Sequence, residues 1–439
     1  MDFIIGYGDA WQYVWNFWWF KTALLDLHTN PFFTNYLHWP NGISLIFQTF
    51  SLTNTLAALP LQYIFGLVWT YNILLIAGFA LTALASYQLA YYLTKNRLSA
   101  LAAALIIAFS PSRWFHLLGH LDLVHFQWVV WYVLYLFKMR DGEATWKLPT
   151  LFMILTAYTN LYYLLYVSLF TVIFFIFNAN KKLLKNITIT AVVSIIVVSP
   201  YIFPMLTAGP DFDVLVHNPL EFSTNLVGFF KPNRAPLEGK AFLGYTAMLL
   251  TLYAFFKHRD KARWLWVTTG LVFATLSLGP YLHIRNAFFP GTRLPYAWLE
   301  DHIPLFSFSG VPGRMNLMTY LAIGIMVAYG IAELVRQGYF RHRITKIALL
   351  ILLAFEYALT ANPAISRADV PQKYYELASD PAPAVWDRST DPAKALYYQT
   401  IYRKPMIGGY TTRPTKSTDE FLKNFTEEKA REYGIKILN

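Results

Sequence analysis

The sequence contains no cysteine among its 439 residues, and only 14% of the residues are charged. The absence of cysteine excludes disulfide bonds, thiolate metal sites and a cysteine nucleophile. The scarcity of charge, together with a hydrophobic content of 56%, argues against a surface that faces water on all sides. The composition therefore indicates an integral membrane protein.

Several signatures of nucleotide and hydrolase chemistry are also missing. The sequence has no Walker-type phosphate loop, no Rossmann glycine fingerprint, no His-Glu-x-x-His pair and no Gly-x-Ser-x-Gly elbow. These absences disfavour an ATP-driven pump, a nicotinamide enzyme and a serine hydrolase, and they predict no nucleotide cofactor. The net charge of +11 would suggest nucleic acid in a soluble protein. Here the basic residues lie in short loops between apolar stretches, so we expect membrane lipid and not nucleic acid as the partner.

Long apolar stretches predict the fold class, because a helix needs about 20 apolar residues to cross the hydrocarbon core. We expect an all-α polytopic membrane protein of about ten transmembrane helices with interfacial helices, followed by a small C-terminal soluble segment of α/β character. The predicted domains are an outer loop (1–68), a transmembrane domain (69–361) and an extracytoplasmic C-terminal domain (362–439). The predicted spans are 69–93, 98–111, 122–138, 148–159, 161–179, 187–208, 241–257, 264–281, 314–335 and 344–361.

Lysine and arginine clusters in the short loops predict which side of the membrane each loop faces. The clusters lie at 95–97, 138–147, 181–185, 257–263 and 336–346. All of them lie on one side if 148–179 is a hairpin of two spans, whereas a single tilted helix there would place the later clusters on the other side. The charge rule favours the hairpin, with its break at Thr159–Asn160, and assigns the clusters to the cytoplasm. The remaining loops and the C-terminus are then extracytoplasmic, in a multi-pass protein of the plasma membrane.

The segment 10–27 is too aromatic for a deep span. Its tryptophans recur at three- and four-residue intervals, which places them along one helical face: Trp11, Trp15, Trp18 and Trp19. Because tryptophan favours the headgroup level, the segment predicts a helix that lies in the interface plane. Residues 43–66 predict a second interfacial helix or a shallow re-entrant one.

Asp9 immediately precedes this aromatic segment, so its carboxylate lies near a helix N-terminus at the outer surface. One interpretation is an N-cap, a position that aspartate fills well. The other is a general base or a metal ligand at the mouth of a membrane cavity, because an ionisable group at this depth is a candidate for function.

The stretch 111–125 concentrates histidine and aspartate. His116 and His120 are four residues apart, a spacing compatible with a divalent metal on one helical face, and Asp122 follows. The alternative is that these histidines are hydrogen-bonding anchors at the interface. The long loop 209–240 is interpreted either as an irregular lid or as a solvated connector.

Two arginines in the loop 282–313 and at its end are candidates for binding phosphate. Arg314 lies at a helix entrance, where arginine usually extends its head group to the interface but can also clamp a lipid phosphate through two hydrogen bonds. Arg293, in the same loop, is the second candidate.

A set of short motifs resembles the GT-C superfamily of membrane glycosyltransferases, in its bacterial and archaeal branch. The motifs are Gly8-Asp9-Ala10, Trp15-Asn16-Phe17-Trp18-Trp19, Asn30-Pro31-Phe32, Pro40-Asn41-Gly42, Ser110-Pro111-Ser112-Arg113, Gly119-His120 and Val311-Pro312-Gly313-Arg314. The similarity covers about residues 5–410.

The resemblance implies an inverting transferase that takes a sugar from a polyprenyl-phosphate donor and gives it to a glycan, lipid or protein acceptor. It implies that Asp9 is the base or binds a divalent metal, and that Asp122 matches a second acidic residue of the family. With His120, which the histidine spacing suggested, Asp9 and Asp122 are the candidate ligands of Mg²⁺ or Mn²⁺. It also implies that Arg314 holds the donor phosphate, for which Arg293 stays the second candidate by its place in the loop, and that the C-terminal domain helps to bind the acceptor.

Two features depart from the pattern of the superfamily. A first transmembrane helix normally precedes the acidic loop, so this chain is expected to be truncated or wrongly started, and its C-terminal domain incomplete. Asp9 also stands without an adjacent acid. The competing hypothesis is a lipid-linked-glycan flippase or a non-catalytic assembly factor, but a transporter should show repeated halves, and the sequence shows no clear repeat.

Overall fold

The computed structural model describes residues 3–212, 217–232, 241–285, 287–303, 306 and 310–439. Within these residues the chain is mainly helical. The α-helices are Asp9–Lys21, Leu52–Phe65, Leu67–Thr94, Arg97–Ala108, Pro111–His116, Leu121–Val124, Gln127–Arg140, Lys147–Thr159, Leu161–Asn178, Lys181–Leu206, Tyr245–Lys257, Ala262–Ser277, Pro295–His302, Asn316–Arg336, Arg343–Ala358, Gln372–Glu376, Pro392–Tyr402, Lys416–Lys423 and Glu427–Glu432. A π-helical turn, Thr22–Asp26, extends the first helix, and 3-10 turns form at Leu226–Phe229 and Pro312–Met315.

In the described ranges, eight short strands form four two-stranded sheets. Phe3–Ile5 pairs antiparallel with Ile365–Arg367, and Val385–Asp387 pairs parallel with Lys436–Leu438. The other two sheets are the hairpins Phe33–Thr34 with Ile43–Ser44 and Tyr281–Ile284 with Ala287–Arg293.

Each predicted span overlaps a helix of the structure. Whether a helix can cross a membrane depends also on its length and its hydropathy. The span 122–138 is interrupted after Val124, and a longer helix starts at Gln127. Among the described residues, four helices are long and apolar enough to cross a membrane: Leu67–Thr94, Leu161–Asn178, Lys181–Leu206 and Pro312–Arg336. The total of about ten spans stays a prediction.

The predicted break at Thr159–Asn160 is present. Asn160 has an extended backbone, and its side chain accepts a hydrogen bond from the Tyr162 backbone amide, so it is the N-cap of the second helix. Lys147–Thr159 and Leu161–Asn178 are therefore two helices in contact and not one continuous helix, while their arrangement as a hairpin of two spans stays a prediction. The break turns the polar ends of both helices toward the same space.

The helix Lys181–Leu206 contains Pro200 and Pro204, which lack an N–H group and leave carbonyls one turn earlier without their usual donor. The Ser199 hydroxyl donates at 3.0 Å to the Ile196 carbonyl, which Pro200 leaves without its donor. The Tyr158 hydroxyl gives the neighbouring Val197 carbonyl a further hydrogen bond at 2.8 Å. These side chains stabilise the helix at the prolines, and the residues that follow line the two cavities described below.

The first two basic clusters, 95–97 and 138–147, meet at one end of the helix bundle. Lys95 and Lys138 both lie over the ring of Tyr92, whose hydroxyl donates to Asp141. Asp9 lies beyond the opposite end of these helices, because Gly6 and Asp9 pack on the loop that follows the C-terminus of helix Arg97–Ala108. Asp9 and these two basic clusters are therefore on different faces of the bundle.

The first helix exists as predicted, but the expectation that its tryptophans face the lipid headgroups is wrong. Every residue from Ala10 to Phe20 is buried, and the cover is protein. Trp11 stacks on Tyr397 with ring centroids 5.0 Å apart, and the Trp15 indole donates to Gln399 Oε1 at 2.7 Å. The C-terminal segment, residues 362–439, thus supplies the surface that these tryptophans contact.

Residues 43–66 form a short strand and a helix, Leu52–Phe65, which meets the next helix at Gly66. Gly66 has φ +74°, a backbone conformation that side chains rarely adopt. The segment is therefore one helix that turns sharply into helix Leu67–Thr94.

Candidate functional site

A cavity of about 580 Å³ lies between the start of the first helix, the loop 115–122, the break at Asn160, the 3-10 turn at Pro312–Met315 and the C-terminal segment. Its lining brings together residues from three distant parts of the sequence: Asp9, then His120 with Asp122, and Arg314. A carboxylate, an imidazole and a guanidinium in one space can support proton transfer and hold an anion.

Asp9 is the first residue of its helix and not the N-cap, because Gly8 occupies that position. Both oxygens of the Asp9 carboxylate have a polar neighbour. The Tyr410 hydroxyl donates to Oδ1 at 2.5 Å, and His120 Nε2 lies 3.7 Å from Oδ2. The carboxylate therefore faces the cavity in a fixed orientation, and the N-cap interpretation is wrong.

Two glycines let the loop 115–122 approach Asp9 closely. A Cβ atom on Gly119 would lie 2.8 Å from the Tyr7 carbonyl oxygen and 3.4 Å from Asp9 Cβ. A Cβ atom on Gly6 would lie 2.6 Å from the Leu118 carbonyl oxygen. The Tyr7 amide donates to that same Leu118 oxygen at 2.9 Å. These contacts place His120 beside Asp9.

Asp122 lies deeper, and both of its carboxylate oxygens accept hydrogen bonds. The Tyr13 hydroxyl donates to Oδ1 at 2.6 Å, and the Asn160 amide donates to Oδ2. Burial, and then the nearby Asp122 carboxylate, raise the pKa of Tyr13 well above its usual value. Tyr13 therefore stays protonated and donates its hydrogen bond to Asp122. Through its two hydrogen bonds, Asp122 links the first helix to Asn160.

These contacts do not fit the implied divalent metal. Both carboxylate oxygens of Asp122 already accept hydrogen bonds, one from a hydroxyl and one from an amide. The hydrogen atoms of these donors carry partial positive charge, so they would repel a cation placed beside the carboxylate. Among the described residues, no group of three His, Cys, Asp or Glu side chains is placed to hold a metal ion. The predicted set of Asp9, His120 and Asp122 is not arranged as a ligand cluster.

His116 and His120 lie together, but they face different surroundings. Their rings meet edge to face with centroids 5.3 Å apart. His116 is fully buried, and burial, followed by the positive charge of His120, Arg314 and Arg113, lowers its pKa well below the usual value. His116 is therefore a neutral packing residue behind the cavity, whereas His120 lines it.

Arg314 is buried and lines the cavity, and its guanidinium lies 5.0 Å from the centre of the Tyr162 ring. The interpretation that it extends to the membrane interface is wrong, because the side chain is enclosed by protein. Arg293 lies elsewhere, in the exposed hairpin, where it pairs with Asp301, and it is not a lining residue. Its predicted role in binding phosphate gains no support from this position.

The loop 209–240 contributes to the cavity wall through His217 and Phe222, while residues 213–216 and 233–240 lie outside the described residues. The Asp211 carboxylate, at the start of this loop, accepts hydrogen bonds from the Ser417 hydroxyl at 2.6 Å and from the Ser417 amide at 2.9 Å. The loop is thus tied to the C-terminal segment.

The lining also contains residues that the sequence did not indicate. Tyr410, Thr412 and Arg413 enter from the C-terminal segment, and the Arg413 guanidinium lies 5.0 Å from the centre of the Phe47 ring. The sequence contained one indication that the first helix makes polar contacts on one side. Asp9, Gln12 and Asn16 are spaced three and four apart, which makes a polar stripe on an otherwise aromatic helix.

A second cavity, of about 990 Å³, adjoins the first and is mainly apolar. Tyr201 lines both cavities and forms the partition between them. The walls of this groove come from the outer loop and from helices that carry exposed apolar residues, and they include Phe32, Leu56, Trp128, Leu155 and Pro204.

The fold is similar to that of two solved structures at low sequence identity. The first is a mutant of the arabinofuranosyltransferase AftD from Mycobacteria, with a TM-score of 0.62 and 14% identity over 93% of this chain and 32% of that chain. The second is ArnT from Cupriavidus metallidurans, with a TM-score of 0.51 and 10% identity over 100% of this chain and 86% of that chain. The chain therefore spans about a third of the length of AftD.

Both proteins belong to the GT-C superfamily, so the predicted resemblance to that superfamily is confirmed at the level of the fold. A search of curated proteins found no match in sequence. The model of one protein family covers residues 1–360. The chain belongs to this family, described as the domain of unknown function DUF6311.

Proposed function

We propose that this chain is a membrane glycosyltransferase that moves a sugar from a polyprenyl-phosphate donor to a hydroxyl of a glycan, lipid or protein acceptor. The observation that carries the proposal is the shared cavity of Asp9, His120, Asp122 and Arg314. The GT-C fold is consistent with it, because two similar structures are membrane glycosyltransferases.

In this mechanism Asp9 is the general base. It takes the proton of the acceptor hydroxyl while the acceptor oxygen attacks the anomeric carbon from the face opposite the carrier phosphate. The bond between that carbon and the phosphate oxygen breaks, the electron pair leaves with the phosphate, and the anomeric configuration is inverted. A positioned base contributes roughly 10²- to 10⁴-fold to such a rate.

Arg314 holds the charge of the departing phosphate. Its guanidinium is buried in the cavity lining, and a charge-assisted hydrogen bond is strong when water is excluded. The ring of Tyr162 lies beside the guanidinium and limits its orientations. No step passes through a metal, so chelation with EDTA is expected to leave the rate of transfer unchanged.

The apolar groove suits the prenyl chain of the donor. It shares the wall at Tyr201 with the cavity, so a chain in the groove would place its phosphate near the partition. Burial of each CH₂ group in such a groove contributes about 0.8 kcal/mol.

The cavity is proposed to open on the extracytoplasmic side of the plasma membrane. The support is electrostatic, because the first two lysine and arginine clusters lie on the face of the bundle away from Asp9, and such clusters mark cytoplasmic loops.

Purified protein in lipid nanodiscs, incubated with labelled polyprenyl-phosphate sugars, tests the activity. The panel begins with polyprenyl-phosphate arabinofuranose, because one structure with this fold is an arabinofuranosyltransferase. A transferase releases free carrier phosphate and labels an acceptor. A flippase, when reconstituted in vesicles, moves the intact donor between leaflets and releases no carrier phosphate, a result that would reject the proposal.

A further inference from the structure

The loop 408–413 of the C-terminal segment enters the cavity and meets the proposed base. This loop lies beyond residues 1–360, the part of the chain that the family model matches. The Tyr410 hydroxyl donates to Asp9 Oδ1 at 2.5 Å. It is the shortest polar contact of the Asp9 carboxylate in the described part of the chain, and it joins residues 401 positions apart.

The loop is held rigidly on the polar stripe of the first helix. The Thr412 hydroxyl accepts from Gln12 Nε2 at 3.1 Å and from the Thr49 amide at 3.1 Å. The Thr412 amide donates to Gln48 Oε1 at 3.1 Å, and Gln48 in turn donates to Asn16 Oδ1 at 3.0 Å. Tyr410 is therefore fixed at its base by a network that starts one turn from Asp9.

The other end of the loop is anchored by close backbone contacts. The His38 amide donates to the Gly408 carbonyl oxygen at 2.8 Å. Gly409 has φ +142°, and a Cβ atom there would lie 3.0 Å from the Leu37 side chain. Both anchors come from the outer loop that precedes the transmembrane helices, so this loop and the first helix together hold the chain on either side of Tyr410.

We propose that Tyr410 is a positioning residue for Asp9. Its hydroxyl fixes the carboxylate in the orientation that receives the acceptor proton, and this inference rests on the function proposed above. Oδ1 is held by Tyr410 while Oδ2 lies toward His120, so rotation of the carboxylate about its Cβ–Cγ bond is restricted. Each oxygen has a second lone pair, which leaves the carboxylate able to accept a proton.

The phenol acts only as a donor in this role. Burial, and then the negative charge of Asp9, raise the pKa of Tyr410 above its ordinary value. Tyr410 therefore stays protonated through the physiological range and does not compete with Asp9 as a base.

The test is steady-state kinetics of the full chain with Tyr410→Phe, which removes one hydroxyl and keeps the ring. We expect kcat to fall roughly ten- to hundredfold, because a misplaced reacting group costs up to about 10²-fold, with KM for donor and acceptor unchanged. Tyr433→Phe is the matched control. Tyr433 is an exposed tyrosine of the same segment that does not line the cavity, and this variant should keep the kcat of the unaltered chain.

A second measurement separates positioning from folding. Thr412→Val removes the hydroxyl that accepts from Gln12 and Thr49 and keeps the Thr412 amide bond to Gln48. Without touching Tyr410 or Asp9, it should loosen the loop and lower kcat in the same direction, while the melting temperature of both variants stays near that of the unaltered chain. In the double variant Asp9→Asn/Tyr410→Phe the second change should add no further loss, because Tyr410 acts through Asp9.

Two results would overturn the inference. An unchanged kcat in Tyr410→Phe, while Asp9→Asn is inactive, would remove Tyr410 and leave the transferase proposal intact. A higher kcat with a lower acceptor KM would show that Tyr410 blocks the base and does not position it. Full activity in Asp9→Asn would instead reject the proposed function itself, so the two failures are distinguishable.

Discussion

At the scale of single residues, the orientation of Asp9 depends on a close contact between two loops, in which there is no room for an additional side-chain atom at Gly119. Gly119 lies in the opposite loop, and a Cβ atom added to it would lie 2.8 Å from the Tyr7 carbonyl oxygen and 3.4 Å from Asp9 Cβ. Core packing of this density transmits a displacement instead of absorbing it. The proposed base is therefore sensitive to a single methyl group on a neighbouring loop.

Gly119→Ala tests this sensitivity. The added Cβ would lie 2.8 Å from the Tyr7 carbonyl oxygen, so the two loops must separate and Asp9 must shift. We expect kcat to fall by about tenfold or more with little change in expression. Gly291→Ala serves as control, because no atom lies within 4 Å of its added Cβ. Equal kcat values for the two variants would show that the loop contact does not set the position of Asp9.

Arg314 and Arg293 form a natural pair for the phosphate role, since the sequence suggested both and the structure places only Arg314 in the cavity. Arg314→Gln should lower kcat/KM for the donor by roughly 10²- to 10³-fold, the effect of losing one preorganised donor of an anion site. Arg293→Gln should change it little, because Arg293 is exposed and paired with Asp301. The same loss in both variants, measured with labelled donor, would argue against the cavity as the phosphate site.

At the scale of helices, the break at Asn160 performs two tasks. It caps helix Leu161–Asn178, and it donates to Asp122. Asn160→Ala should lower the free energy of unfolding by about 3 kcal/mol, since both a cap and a hydrogen bond to a carboxylate are lost. Asn180→Ala, which removes the cap of helix Lys181–Leu206 and an exposed hydrogen bond to the Asn178 carbonyl but no bond to a carboxylate, should cost about 1 kcal/mol. Denaturation in detergent measures both values, and equal losses would mean that the bond to Asp122 adds nothing.

The helices could be predicted from the sequence because the length of an apolar stretch is read from consecutive residues. The ends of Leu161–Asn178 and Lys147–Thr159 agree with the predicted spans within a residue, and Asn160 marks its own break. The tryptophan spacing correctly predicted a helix with a defined face. It did not reveal what covers that face, because lipid headgroups and the C-terminal segment both accept an aromatic surface.

The site was predictable only in part, for the same reason. Asp9, His120, Asp122 and Arg314 follow turn or loop motifs at one side of the membrane, so their convergence could be expected. Tyr410 could not, because its contact with Asp9 spans 401 positions and the C-terminal segment shows no periodic pattern that fixes its docking.

At the scale of the whole molecule, the C-terminal segment and the first helix form one unit above the bundle. The pairing of Phe3–Ile5 with Ile365–Arg367 and the stack of Trp11 on Tyr397 join the two ends of the chain. The cavity lies between this unit and the residues of helices Leu161–Asn178 and Lys181–Leu206 that line it.

The absence of cysteine makes the orientation of the chain directly measurable. Glu428→Cys and Lys182→Cys place single thiols on exposed positions of the C-terminal segment and of the basic face. A membrane-impermeant maleimide added to intact cells should label Glu428→Cys and not Lys182→Cys, because lysine clusters remain in the cytoplasm. The reverse pattern would place the cavity on the cytoplasmic side.

The central claim is that Asp9 removes the acceptor proton, and one comparison tests it most directly: the rate of carrier-phosphate release by Asp9→Asn against Asp26→Asn in the same nanodiscs. Asp26 is an exposed acid just after the same helix, paired with Lys21, and its replacement should leave the rate unchanged. Asp9→Asn should bind labelled donor normally and release carrier phosphate at least about 10²-fold more slowly. Release by Asp9→Asn at the rate of Asp26→Asn would contradict the account.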